Sequence, residues 1–139
     1  MMTILDLSSL KKAISKLDEG LARYNLNIGD DQLRDGLIQR FEFTYELSHK
    51  MLKRYLEMSS PNPDEIDQMD FQNLIRTANE QGLLLSDWPI WRTYRDQRAR
   101  TSHTYDQEVA EKVLTIIPQF LKEAQFLNSA ISERIIEAK

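Results

Sequence analysis

This chain of 139 residues contains no cysteine. Disulfides, thiolate zinc sites and a cysteine nucleophile are therefore excluded. Glycine and proline occur four times each, few enough to favour long uninterrupted helices. The glycines are scattered, so no phosphate-cradling loop is present. There is no Gly-x-Ser-x-Gly elbow, and adjacent Ser102 and His103 have poor geometry for a hydrolase triad. No His-x3-His pair occurs, and no helical metal site is expected. No apolar run approaches the roughly 18 residues of a membrane span. The opening Met-Met-Thr-Ile-Leu-Asp-Leu has no basic stretch followed by an apolar one, so it does not read as a signal peptide. A cytoplasmic protein is the expectation. The net charge of −4 speaks against sequence-blind coating of nucleic acid, which needs an excess of Lys and Arg.

What is present is helical periodicity. The length suits one domain, residues 1–139. Leu10, Ile14, Leu17 and Leu21 share one helical face and predict a helix from about Ser8 to Tyr24. Gly29 breaks it, and Asp30 or Asp31 can cap a second, long helix reaching about Met58. Its apolar stripe is Leu33, Leu37, Phe41, Tyr45, Met51, Leu52 and Tyr55, and Glu46 with Lys50 has favourable i, i+4 spacing. Ser59-Ser-Pro-Asn-Pro63 reads as a loop, because proline and its predecessor resist α geometry. A short helix is expected over Asp70 to Gln81, stopped by Gly82. Another starts near Asp87, with Pro89 in its first turn, and ends near Ser102. Thr104 and Asp106 are both plausible caps of a last helix to about Glu137, Thr104 with Gln107 having capping-box spacing. Val109, Val113, Ile116, Phe120, Ala124, Leu127 and Ile131 are its expected core face, and Pro118 inside it should kink it or mark a seam. No alternating strand pattern is found. The expected fold is all-α, an antiparallel helical bundle.

The chemistry concentrates at Arg98-Ala-Arg-Thr-Ser-His103-Thr-Tyr105. Arginine grips phosphate in a planar fork and keeps its charge. Histidine exchanges protons near neutrality. On a continuous helix Arg98 and His103 would diverge by roughly 140°. Convergence therefore requires the helix to end between them. A surface arginine beside a turn histidine would carry the same spacing. Tyr105 could stack a base, bind a phosphate or bury its ring, and core packing is the ordinary fate of a tyrosine. Arg92, Arg95, Arg98 and Arg100 fall within nine residues, forming either a solvated helical face or a phosphate-binding strip. Trp88, Trp91 and Tyr94 interleave with them and read as core or interface anchors. Glu42 and Glu46 share a face with Lys50 and read as surface or interface carboxylates.

Arg98-x4-His103-x-Tyr105 resembles the motif of HEPN-domain proteins of the HepT-like kind. Phe41-Glu-Phe-Thr-Tyr-Glu-Leu-Ser48, Met51-Leu-Lys-Arg54, Trp91-Arg-Thr-Tyr-Arg-Asp-Gln-Arg98 and Thr101-Ser-His-Thr-Tyr-Asp-Gln-Glu108 resemble the group called nucleotidyltransferase substrate-binding proteins. The likeness runs from the second helix into the last. It implies an up-and-down four-helix bundle with an additional short helix, and a homodimer whose motifs face a shared cleft. It also implies a minimal nucleotidyltransferase partner from a neighbouring gene. That enzyme is not in this chain, since neither Gly-Ser nor Asp-x-Asp occurs. In HepT-like members the helical protein is a metal-independent endoribonuclease toxin, silenced by nucleotide transfer to the motif tyrosine, here Tyr105. The resemblance makes Arg98 and His103 the catalytic pair, with RNA as substrate and no cofactor; Arg92, Arg95 and Arg100 are candidate phosphate contacts. One position departs from the pattern. The residue after the motif arginine is usually polar, and here it is Ala99. A non-catalytic substrate-binding subunit is the alternative.

Overall fold

A computed structural model describes residues 5–137. Residues 1–4, the start of the segment read above against a signal peptide, lie outside it. Helix α1 (Ser8–Leu26) buries Leu10, Ile14 and Leu17. It runs one half-turn past the expected end, because nothing before Gly29, at φ 105°, forces the chain out of helical geometry. Helix α2 (Asp31–Ser59) starts where Asp30 accepts the Leu33 N–H at 3.1 Å. The two helices run in opposite directions. Thr44 Oγ1 lies 3.3 Å from the Ala13 carbonyl, whereas Arg40, one turn earlier on α2, donates to Lys16, further along α1. Gly20 lets Arg40 cross closely: a Cβ there would stand 3.1 Å from the arginine.

Pro63, expected in a loop, instead opens a one-turn helix, α3 (Pro63–Asp67). A proline has no N–H to waste in a first turn. Ile66 is buried, and Asp67 meets Lys53 of α2 at 3.1 Å. Helix α4 (Phe71–Glu80) is capped by Asp70, which accepts the Asn73 N–H at 2.8 Å; Gly82, at φ 73°, follows its end. Helix α5 (Trp88–Ala99) carries the arginines. It tightens into a single 3-10 turn, Arg100–His103, before helix α6 (Gln107–Glu137). Asp106 is the working cap of α6, accepting the Glu108 N–H at 2.9 Å. Thr104 instead donates to the Thr101 carbonyl, so the expected Thr104–Gln107 box is not formed.

The core face of α6 also differs from expectation. Ala110, Val113, Ile117, Phe120, Ala124, Leu127 and Ile131 are fully buried, while Val109 and Ile116 sit at the edge. Both sets obey helical spacing; the bulk of Trp91 and Tyr94 against Phe120 decides between them. The helix passes through Pro118 without a break. Proline costs one N–H there, and buried residues on either side outweigh that loss. Among the described residues the fold is all-helical, and no helix is long and apolar enough to cross a membrane.

Phe120 is the centre of the core. Its ring meets Phe41, Tyr94, Tyr45 and Trp91 at centroid separations of 5.2, 5.1, 6.0 and 6.2 Å. These tilted and edge-on arrangements suit the ring quadrupole. Burial pushes the Tyr45 and Tyr94 hydroxyls up to about 12, so both stay neutral in the core.

One carboxylate lies inside this core. Glu123 is fully buried, and its Oε2 accepts the Leu85 N–H at 2.7 Å, tying down the loop that leads into α5. Burial raises its pKa, and hydrogen bonding from Ser86 and Leu85 only partly offsets this. A raised native pKa means that Glu123's contribution to stability is complete below the ordinary glutamate range and is lost as pH rises through the native value. Glu123→Gln keeps an acceptor for Leu85 and cannot ionise. Its stability relative to the parent should therefore improve as pH rises above the ordinary glutamate range, about pH 4. Urea unfolding of both proteins from that pH upward measures this; a difference that does not change with pH would refute it.

Candidate functional site

The last turn of α5 places Arg98 against α2. The guanidinium donates from Nε and Nη2 to Glu46 Oε1, the Nε contact being 3.0 Å. Nη1 lies 3.4 Å from Glu42 Oε2 and 3.3 Å from Thr101 Oγ1. Thr101, buried in the 3-10 turn, donates to Glu42 at 2.9 Å. Its hydroxyl also lies within 2.8 Å of the Arg98 carbonyl, which fixes the turn relative to the arginine. Glu46 thus holds one edge of the fork, while the Nη1 contacts are longer. An arginine has five N–H donors. The outer Nη edge therefore keeps donors for a phosphate, and Glu46 sets the plane in which they are presented.

Glu46 was expected to pair with Lys50. It pairs instead with Arg98, whose Nε and Nη2 both donate to one oxygen of Glu46, a two-donor contact stronger than a single exposed ammonium contact. Sequence reasoning reads Glu42 and Glu46 as surface or interface carboxylates; in the structure both hold Arg98. His49, which lies outside the motif, lines the groove beside Arg98. Glu42, Glu46, His49 and Lys53 are spaced four, three and four, one stripe of α2 beside the buried stripe Phe41, Tyr45, Ser48 and Leu52. That polar stripe was the available signal. Glu46 and His49 have Glu-x2-His spacing, which corrects the expectation that no such pair occurs. Among the described residues, however, no group of three or more acids and histidines could hold a metal ion.

His103 ends the 3-10 turn and is exposed, as the functional reading requires. Its ring lies 6.1 Å from that of Tyr105, edge to face. Tyr105 does not bury its ring: it is 86% exposed, in the turn before α6. The turn is too short to fold a phenol back into a core already filled by Tyr94 and Phe120. The helix does end between Arg98 and His103, but they make no hydrogen bond to each other. Arg98 faces α2, and His103 stands beyond Thr101 with Tyr105. Arg92 and Arg100 are exposed. Arg95 lies over the Phe71 ring, 5.5 Å from its centroid. Trp91 and Tyr94 are core residues, as expected. Ala99 is exposed and adds no polar group beside Arg98.

On the α2 side Arg98 opens onto a groove of about 750 Å³. Glu42, Glu46, His49, Lys50 and Lys53 line it, and exposed Phe43 forms its apolar edge. The size falls in the range of small-ligand clefts. Burial lowers the His49 pKa, with Lys53 and Arg95 adding to the effect and Glu46 opposing it, so this imidazole is neutral at neutral pH.

The family model "Nucleotidyltransferase substrate binding protein like" matches residues 5–133. A protein of Haemophilus influenzae named "Probable ribonuclease HepT" is 45% identical over 108 residues, which cover 78% of this chain and 73% of the relative. A solved structure from the same species, described as the fold of a substrate binding domain of a nucleotidyltransferase, superposes with a TM-score of 0.85 at 39% identity. It covers 91% of this chain and 99% of the other.

Proposed function

This chain belongs to the nucleotidyltransferase substrate binding protein like family, and from that premise we propose that it is the HEPN subunit of a two-component toxin–antitoxin pair. In this reading it is a metal-independent endoribonuclease, and a minimal nucleotidyltransferase silences it by modifying Tyr105. The observation that carries the reading is a carboxylate-held Arg98 at the end of α5 followed, one turn further along the chain, by an exposed His103–Tyr105 ring pair. Identity of 45% to a relative named as a ribonuclease supports it.

The mechanism follows from these groups. Arg98 holds the scissile phosphate on its outer Nη edge and offsets charge developing on the non-bridging oxygens. His103 takes the proton of the neighbouring 2′-hydroxyl. The 2′-oxygen forms a bond to phosphorus, the bond to the 5′-oxygen breaks, and the leaving oxygen takes up a proton from water while the imidazolium of His103 returns its proton to solvent. The products are a 2′,3′-cyclic phosphate and a 5′-hydroxyl. In the proposed homodimer the two motifs face one cleft, and exposed Phe43 beside the groove supplies an apolar anchor for the second copy.

Tyr105 suits a regulatory role because its hydroxyl is in solvent, within reach of another enzyme. A nucleotide placed there would bring a bulky anion beside His103 and compete for the arginines. After co-expression with the partner, mass spectrometry should find the added nucleotide on Tyr105 and none on a Tyr105→Phe variant. That variant should remain toxic in the partner's presence. An unmodified Tyr105 with an active transferase present would end the regulatory reading. RNA incubated with the dimer in EDTA tests catalysis; His103→Ala should lose about 100-fold or more.

A second reading has its own support. Glu46, Glu42 and Thr101 brace Arg98, and Ala99 stands where the motif usually has a polar residue. A non-catalytic subunit that presents a substrate to the nucleotidyltransferase fits such an arginine. Growth arrest on expression, relieved by the neighbouring gene, supports the toxin; harmless expression supports the passive subunit.

A further inference from the structure

The groove beside Arg98 extends well past the residues that the proposed cleavage uses. Glu42 and Glu46 occupy its near end, holding the guanidinium. Beyond them α2 presents His49, Lys50 and Lys53. About three turns of one helix thus lead from an acid-braced arginine to a cluster of cationic and neutral nitrogen donors. Nothing in the Arg98–His103–Tyr105 chemistry requires that far end.

His49 is held as a recognition group would be. Its ring packs edge-on to Phe71 at 4.8 Å. Phe71 is itself clamped by Trp88 at 5.7 Å and Trp91 at 6.4 Å, and Arg95 covers its face. Among the described residues neither ring nitrogen of His49 has a hydrogen-bond partner. A fixed ring with available nitrogens is pre-organised to read a polar ligand. Lys53 is held in place by Asp67, and Lys50 is exposed one turn from Glu46. Both ammonium groups line the same groove as His49 and Arg98.

We propose that His49, Lys50 and Lys53 form a second nucleotide subsite, taking the phosphate next to the one gripped by Arg98. Lys50 and Lys53 carry the charge contact, and His49 hydrogen-bonds to the sugar or base attached to that phosphate. This rests on the ribonuclease reading for the order of the two phosphates, but not for the existence of the subsite. The same chemistry could be met by RNA or by a free mononucleotide, and the test separates the two.

Binding is measured by fluorescence anisotropy with a single-stranded tetranucleotide and a dinucleotide, both 2′-O-methylated so that they cannot be cleaved. Calorimetry with 5′-AMP forms the third arm. The parent is compared with Lys50→Ala/Lys53→Ala and with His49→Asn, all checked for unchanged thermal unfolding. If the double variant loses fold, Lys50→Gln alone replaces it.

For the double variant the tetranucleotide should weaken by about tenfold, and its salt slope should fall by about 0.7, the share of one single-strand phosphate. The dinucleotide, with its one phosphate at Arg98, should weaken much less. His49→Asn should weaken the tetranucleotide without changing the salt slope, which a purely structural histidine would not do. Equal losses for both oligonucleotides, or no loss for either, would overturn the subsite. Lysine-dependent binding of 5′-AMP without binding of the tetranucleotide would support the phosphate subsite and assign it to a free nucleotide. No binding of any probe to the parent would overturn it. Unmethylated RNA that binds through the lysines yet stays intact would sink the ribonuclease reading and leave the subsite standing.

Discussion

Replacing Arg98 with alanine should lower metal-independent RNA cleavage by about 100- to 1,000-fold, the usual cost of removing a pre-organised donor to transition-state charge. The prediction is sharp because the fold should barely change. The side chains of Arg98, Glu42 and Glu46 are 29%, 31% and 58% exposed, so their ion pairs are screened by water and each is worth about 1 kcal/mol or less. Thermal unfolding should therefore stay close to the parent's while activity disappears. Arg98→Lys separates charge from geometry. A lysine keeps the positive charge but lacks the planar fork that Glu46 orients, so it should recover only part of the lost rate. Cleavage that survives both Arg98→Ala and His103→Ala at the parent rate would come from another enzyme, and the toxin reading would fall with it.

Phe120→Ala should produce a large loss of stability. The ring is fully buried and touches aromatic rings of α2 and α5 at once. Truncating a buried phenylalanine costs about 3–5 kcal/mol, a large share of the roughly 5–15 kcal/mol that holds a domain together. The melting temperature should fall by roughly 10–20 °C. The loss should exceed that of Ile116→Ala, although the unaided sequence puts both residues on the same core face. In the structure Ile116 only borders the core that Phe120 fills. Equal losses at the two positions would show that the face of α6 is the one expected from spacing alone, and not the one centred on Ile117.

Some of this molecule is legible in its residue order because it is local. Helix α2 starts at Asp30 and α4 at Asp70 since each carboxylate needs only an N–H three residues away. The buried stripes of α1 and α2 follow from a fixed 3.6-residue period. The break after Arg98, and the exposure of His103 that it allows, also follow from short-range turn chemistry. Tertiary contact alone decided the rest. Nothing near Glu46 in the chain competes with Lys50, yet Arg98, 52 residues away, takes its carboxylate, because packing α5 against α2 brings a two-pronged donor within reach. His49 looks isolated in one dimension and lies in the same groove as Arg98 in three. Val109 and Ile116 satisfy the period as well as Ala110 and Ile117 do, and only the volume of the aromatic cluster around Phe120 selects the second pair. Periodicity states that a face exists; the shape and charge of whatever packs against it choose which residues make it up.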